Sequence, residues 1–282
     1  MFNPGMIKSN ISRRGLRRLL ALTIALQAFL WSAVTARAGQ DVFHIFTSAI
    51  EEGHWNAELV TGFQSGFPSH RDDDHHGNVR AASELGLTTY PTHFWMTKVA
   101  LEFEREAGGD SEPVAIASKN VISFDAFTPQ NVNAGWFTAL TGALSDEGTN
   151  AVEFGPVMTL SSGPASLTLN PFLEKTFGHN EEPGIAFVYA YRATYSLSER
   201  FSIGMEGYGE IENIGSGPPG SGQVHRIGPV LYFGTVHGLG HEPDHDKHST
   251  AHGGWHAEVG LLFGLTASTP DEAIKFNTGL DF

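Results

Sequence analysis

The stretch Ile274-Lys275-Phe276-Asn277-Thr278-Gly279-Leu280-Asp281-Phe282 decides the fold class. Every second residue in it is apolar or threonine, and the residues between are charged, polar or glycine. Successive side chains of a β-strand point to opposite faces, so this spacing predicts a strand with one apolar face. A half-buried strand of a soluble sheet would show the same alternation, and the rest of the chain has to separate the two cases.

The same alternation recurs along the chain in segments of about ten residues, separated by Gly, Pro, Asn, Asp and Ser. In residues 95–104, 185–195 and 255–265 one face is apolar, with aromatic side chains toward its ends, while the other mixes charged and small residues. A membrane-crossing strand needs such an apolar band toward lipid and a polar face toward a lumen. The sequence therefore predicts an all-β fold, a transmembrane antiparallel up-and-down β-barrel. The alternative is a soluble periplasmic β-sandwich.

The number of strands follows from counting these segments. Twelve are predicted, and the weak alternation of the fourth leaves ten or fourteen open. The predicted strands are residues 55–64, 79–89, 94–104, 117–126, 134–144, 151–160, 165–176, 184–196, 200–211, 224–235, 254–266 and 273–282. With twelve, the short connections (89–92, 161–164, 197–199) fall at one end, expected to be periplasmic. Longer polar ones (68–78, 106–112, 215–222) fall at the other.

The first 38 residues have the composition of a signal peptide. Four arginines between Arg13 and Arg18 precede an apolar run over residues 19–33, and Ala36-Arg37-Ala38 offers a cleavage site. The run is shorter than the ~20 residues that a membrane-spanning helix needs. We therefore predict a cleaved signal peptide at 1–38, a lead-in segment at 39–53 whose structure the sequence does not assign, and a barrel at 54–282.

Charge and cysteine content restrict the partners. The predicted signal peptide holds six of the 17 basic residues, which leaves eleven against 31 acidic ones and a net charge of −20. Binding to nucleic acid through phosphates needs a basic face and is not expected. The chain has no cysteine, and a closed barrel needs no disulfide because each of its strands is paired on both sides.

At the level of the whole chain the sequence resembles a proteobacterial outer-membrane family, the phenol meta-pathway or "transporter" group. The phrases that carry the resemblance are Glu153-Phe154-Gly155-Pro156, Ile227-Gly228-Pro229-Val230-Leu231 and Gly260-Leu261-Leu262-Phe263-Gly264-Leu265-Thr266. They are strand phrases without catalytic motifs. The resemblance implies a barrel and a solute channel in the outer membrane of a Gram-negative bacterium, with membrane lipid as a partner. The aromatic Phe282 resembles the signal read by the barrel-assembly machinery, a second expected partner.

A histidine-rich turn lies between the tenth and eleventh predicted strands. Six of the 14 histidines fall within twenty residues there, together with acidic side chains. Imidazole is a good ligand for Zn, Cu and Ni, and a loop with several ligands can wrap an ion. The candidate metal ligands are His237, His241, Asp244, His245, His248, His252 and His256. The alternative is a merely hydrophilic turn. A second cluster at residues 70–76 is interpreted mainly as a solvated loop.

The predicted lumen face is acidic. It carries Glu58, Glu84, Glu102, Asp125, Glu153, Glu174, Glu206, Glu210 and Glu258 against Arg80, Lys98, Arg192 and Lys275. If water passes, such a lumen favours cations, whereas an interior filled with ion pairs would conduct nothing. No nucleophile motif or phosphate loop occurs, so no enzyme activity is expected. The functional hypothesis is a channel for small solutes or cations; the alternative is a non-conducting metal-binding or structural barrel.

Overall fold

The computed structural model describes residues 43–66, 79–106, 109–145, 148–215, 223–234 and 254–282. Within these residues no helix is long and apolar enough to cross a membrane. One short 3₁₀ helix, Asp125–Phe127, follows the fourth strand, and the remaining regular structure of the described residues is β-sheet.

Twelve strands build the sheet, and their bounds lie close to those predicted from alternation. They are β1 Trp55–Ser65, β2 Val79–Thr92, β3 Trp95–Glu106, β4 Glu112–Ser123, β5 Val132–Ala143, β6 Asn150–Ser162, β7 Ala165–Phe177, β8 Ala186–Ser198, β9 Phe201–Ile211, β10 Val224–Gly234, β11 Gly254–Gly264 and β12 Glu272–Asp281.

The strands form one closed antiparallel barrel in which each strand pairs with its neighbours in sequence and β1 pairs with β12. The closing register runs from Asn56 opposite Asp281 to Ser65 opposite Glu272. Closure leaves no sheet edge, which satisfies the backbone hydrogen bonds that an open sheet would expose. The predicted twelve-stranded up-and-down barrel is confirmed, and a single closed sheet excludes the two-sheet sandwich.

The connections are asymmetric between the two ends of the barrel. At one end, residues 93–94, 163–164 and 199–200 are tight turns. The long connections 66–78 and 212–223 lie at the other, as predicted. Two longer connections also join strands at the tight-turn end: 124–131, which contains the 3₁₀ helix, and 235–253, which contains the histidine-rich turn.

The bounds of β2 and β4 were predicted wrongly. β2 continues through Thr92, so the predicted turn at 89–92 is the end of a strand, with a register shift between Thr89 and Thr92. β4 begins at Glu112 and ends at Ser123, so Asp125 is not a strand residue. Its carboxylate accepts hydrogen bonds from the backbone amide of Ala134 (2.8 Å) and from Asn133 (2.9 Å). These bonds stabilise the 3₁₀ turn after the strand.

The outer surface of the barrel is apolar. On β11 and β12 the side chains of Val259, Leu261, Ile274 and Phe276 point outward and are 39–43% exposed. Their sequence neighbours Glu258, Leu262, Lys275 and Asn277 are buried in the interior. The alternation read from the sequence therefore separates an apolar exterior from a largely polar lumen, as a barrel surrounded by lipid requires.

Replacing Phe276 with arginine tests whether this exterior faces a bilayer. Phe276 lies in the middle of β12, where a cation on the lipid face costs about 2–4 kcal/mol of unfolding free energy, while a site near the interface costs about 0–1 kcal/mol. We expect Phe276→Arg to cost the larger amount and Leu280→Arg, at the strand end, the smaller. Urea unfolding from phospholipid vesicles measures both. Equal and small losses would mean that the belt does not face lipid.

Candidate functional site

The lumen of the barrel is the candidate site, and residues 43–50 lie inside it. The backbone amide of Phe46 donates a hydrogen bond to Asn170 Oδ1 (2.7 Å), and Asn170 Nδ2 donates one to the Phe46 carbonyl (3.0 Å). Asn170 is 1% exposed and points inward from β7. The Asn170 side chain thus satisfies the backbone N–H and C=O of Phe46, which has no neighbouring strand to pair with. Sequence reasoning left this lead-in segment unassigned.

Aromatic contacts hold the same segment, which we call the plug (residues 43–50). The Phe46 ring lies 4.3 Å from the ring of Phe137, which stacks at 4.5 Å on Phe172. Phe43 packs against Leu262 and Ala273 near the end with the long connections. Near the tight-turn end, the Ser48 hydroxyl donates a hydrogen bond to Asp125 Oδ1 (3.2 Å). It therefore passes along much of the lumen.

A first group of buried ion pairs, which we call the Lys98–Lys119 cluster, lines the wall formed by β1 to β4. The Lys98 ammonium contacts the carboxylates of Glu58 and Glu84, and the Lys119 ammonium contacts Glu84. Lys119 also lies 3.2 Å from Glu102. The Lys98 chain lies over Gly86, where a Cβ would come within 2.2 Å of Lys98 Cε. Glycine at this position makes room for the lysine.

A second group, the Arg192–Lys275 cluster, lines the opposite wall. Arg192 binds Glu206 at 2.8 Å and Glu258 at 3.0 Å, and Lys275 binds the same two carboxylates at 2.8 and 2.7 Å. Tyr232 donates a further hydrogen bond to Glu206 (2.9 Å). Two cations and two carboxylates are thus paired, in a part of the lumen where Glu206 and Lys275 are fully buried.

Between the plug and the wall of β3 to β9 a pocket of about 100 Å³ remains, with room for several water molecules. Its charged lining consists of Glu102, Glu153, Glu174 and Lys119, and the rings of Phe46, Phe137, Phe172 and Tyr208 line it as well. Glu153 and Glu174 are directly opposite each other on β6 and β7. Among the described residues neither has an ion pair or hydrogen bond, and one oxygen of Glu102, Oε2, is buried without a partner.

The structure also brings together a set of groups that could in principle hold a metal ion. One ligand atom each from His44, Glu58 and Glu84 lie within 4.8 Å of one another. The Lys98 ammonium, however, contacts both of these carboxylates, so a cation already neutralises them. We therefore interpret this set as part of the Lys98–Lys119 cluster. The sequence analysis missed it because His44 belongs to the unassigned lead-in.

The predicted metal ligands fall almost entirely outside the described residues. His237, His241, Asp244, His245, His248 and His252 lie in 235–253, and the second cluster lies in 70–76, both outside. His256 is described: it lies on β11, where its ring packs over Gly279. The structure therefore does not test metal binding by this turn, and the ligand set stays a prediction.

The predicted lumen face agrees with the structure for most of its members. Glu58, Glu84, Glu102, Glu174, Glu206, Glu258, Lys98 and Lys275 are all buried in the interior. Asp125 was wrong as a strand residue, and the side chain of Arg80 lies outside the described part. Two buried cations were missed, Lys119 and Arg226. Lys119 could have been found from the sequence, because it lies two residues before Val121 and its side chain therefore points to the same face of β4.

Comparison with known proteins supports the fold. No family model matches the chain, and no curated protein matches it. Among solved structures, the chain is similar to an outer-membrane channel of Pseudomonas putida F1, with 11% identity, a TM-score of 0.55 and coverage of 87% of this chain and 99% of that one. The NanC porin (9% identity, TM-score 0.48) and the KdgM porin solved with disordered oligogalacturonate (8%, 0.47) each cover 80% of this chain and 98% of their own. The first similarity supports the closed β-barrel fold of this chain. Membership of the phenol meta-pathway family stays a prediction.

Replacing Lys275 with methionine tests the Arg192–Lys275 cluster. The substitution leaves Glu206 and Glu258 with Arg192 as their remaining ionic partner, and breaking a buried pair in this way costs about 3–5 kcal/mol of unfolding free energy. Lys175→Met is the control, because within the described part of the chain Lys175 donates to the backbone carbonyl of Glu182 and forms no ion pair. Urea unfolding in vesicles compares the two. Similar losses for both would show that the cluster contributes no special stability.

Proposed function

We propose that this protein is an outer-membrane channel for small solutes, closed by its own residues 43–50 and conducting when that plug moves aside. The observation that carries the proposal is the docking of the plug. It contributes no strand to the sheet, and a small set of side chains holds it. The interior of a barrel with about eight strands is filled by its own side chains, so a wider barrel of twelve strands leaves a pathway when a separate segment moves out of it.

The charge of the lumen supports passage of cations. With Lys119 and Arg226 added, and with Asp125 left out because it is not on a strand, the described interior still has more carboxylates than cationic side chains. Its acidic members are Glu58, Glu84, Glu102, Glu153, Glu174, Glu206, Glu210 and Glu258, against Lys98, Lys119, Arg192, Arg226 and Lys275. Acidic linings favour cations in a water-filled pore. The proposal includes export through the predicted signal peptide 1–38 and residence in the outer membrane of a Gram-negative bacterium.

Asn170→Ala tests the plug. The substitution leaves the amide and carbonyl of Phe46 without their partners, and each hydrogen bond contributes about 0.5–1.5 kcal/mol, so the open population should rise by about tenfold or more. Planar-bilayer recordings in KCl measure it, with a salt gradient to give the selectivity. Deletion of residues 43–50 should leave the channel open for longer still.

The matched control is Asn131→Ala, because Asn131 is exposed in the turn before β5. It should behave as the native protein does. Absence of channel events in the native protein, in Asn170→Ala and in the deletion variant would refute the channel, and an anion-selective reversal potential would refute the cation preference. Events of equal frequency in all variants would refute the plug.

The histidine-rich turn supports a second role, binding of Zn, Cu or Ni. The chain topology carries its connection, 235–253, to the tight-turn end, where the plug also leaves the lumen. If that end is periplasmic, the turn is suited to handing metal on rather than to capturing it from outside. Calorimetric titration of the folded barrel tests the role. Replacing His241, His245, His248 and His252 with alanine should abolish tight binding, and an unchanged affinity would rule the turn out.

A further inference from the structure

The pocket beside the plug has more negative charge than its surroundings neutralise. Glu153 and Glu174 occupy directly opposite positions on β6 and β7, where Cβ atoms lie about 4.5–5.5 Å apart. Like charges in this arrangement repel each other. The neighbouring Lys98–Lys119 cluster has two lysines for its own Glu58, Glu84 and Glu102. The cluster and the opposed pair together contain five carboxylates: Glu58, Glu84, Glu102, Glu153 and Glu174. The cationic groups around them are Lys98, Lys119 and, when it is protonated, His44, so negative charge is in excess.

A second observation points to a ligand. Glu102 is 5% exposed and lines the pocket. Its Oε1 lies 3.2 Å from Lys119, while its Oε2 is buried and has no hydrogen-bond partner. Glu174, at 8% exposure, lines the same pocket and has no polar partner among the described residues. A buried carboxylate oxygen without a donor is costly, and a cationic donor entering the pocket would remove that cost.

The rest of the lining indicates which cation. Phe46, Phe137 and Phe172 form a continuous aromatic wall next to the carboxylates, in which Phe137 stacks on Phe172 and Phe46 is tilted against both. Tyr208 adds a fourth ring. Aromatic faces attract organic cations and also bury the methyl or methylene groups attached to them. A hydrated metal ion gains nothing from such a wall, because it prefers oxygen ligands on every side. Carboxylates on one side and rings on the other suit an ammonium ion with an apolar chain.

We propose that Glu102, Glu153 and Glu174, with this aromatic wall, bind a small organic ammonium ion in the lumen. The carboxylates accept its N–H groups or neutralise its charge, and the rings pack against its carbon atoms. Glu153 and Glu174 lie toward the ends of β6 and β7 that meet the long connections, so the site lies in that half of the lumen. That the bound amine is also the transported solute rests on the proposed channel function; the binding itself does not.

Calorimetric titration of the full folded chain in detergent at pH 8 tests the site. The probes are n-butylammonium chloride, its neutral match n-butanol, and KCl. We expect saturable binding of one butylammonium ion per barrel and none of butanol or K⁺. Glu153→Gln and Glu174→Gln should each weaken binding by about tenfold or more, because each removes a charged hydrogen-bond acceptor. Glu199→Gln, in the exposed turn between β8 and β9, is the control and should bind as the native protein does.

Heat-modifiable mobility on gels establishes that each variant is folded before it is titrated. Having two independent glutamine variants keeps the test available if one of them fails to fold. The proposal is overturned if the folded native protein shows no saturable binding. That is the result expected if Glu153 and Glu174 share a proton and leave no charge for a cation to neutralise. It is also overturned if K⁺ or butanol binds as well, or if neither substitution weakens binding.

Conductance separates this inference from the channel itself. Channel events in KCl without butylammonium binding would overturn the site and leave the proposed channel intact. Saturable butylammonium binding without channel events would support the site and refute the channel. Saturable block of the KCl current by butylammonium, reduced in Glu174→Gln, would support both.

Discussion

Closure of the sheet between β1 and β12 is the constraint on which the rest of this structure depends. In the hydrocarbon core of a bilayer no water can satisfy a free N–H or C=O group, so a sheet can cross only if its two edges pair. The register from Asn56–Asp281 to Ser65–Glu272 supplies that pairing. Because the exterior must then be apolar, polar and charged side chains of each strand are directed into the lumen.

The lumen carries the consequences of that constraint. Charged groups in an enclosed space must be paired, and the two ion-pair clusters do this for Lys98, Lys119, Arg192 and Lys275. A barrel of twelve strands also encloses more space than its own inward side chains fill. The plug occupies that space, and Asn170 satisfies the backbone N–H and C=O of Phe46 as a neighbouring strand would. What remains is the acidic pocket, lined on one side by the plug itself.

Several elements could be predicted because they depend on local pattern. The strands β11 and β12 alternate without interruption, and both faces were assigned correctly from sequence. The start of β4 was missed because Glu112 and Pro113 read as a loop, and its end was placed too late because the residues after Ser123 continue the alternation. Asp125 leaves the strand because its carboxylate satisfies the backbone of β5, a contact between segments that no local pattern reveals.

The sequence by itself determined the class of fold, the most favoured number of strands, the face on which most of the charges lie and the end at which most of the long connections lie. These follow from alternation along one chain, because a strand fixes the direction of each side chain relative to its neighbours. Only the tertiary structure decided which charges meet across the lumen, and that residues 43–50 fill it. Distances across a closed barrel depend on the stagger between strands and on the width of the barrel. The spacing of residues along the chain determines neither of these.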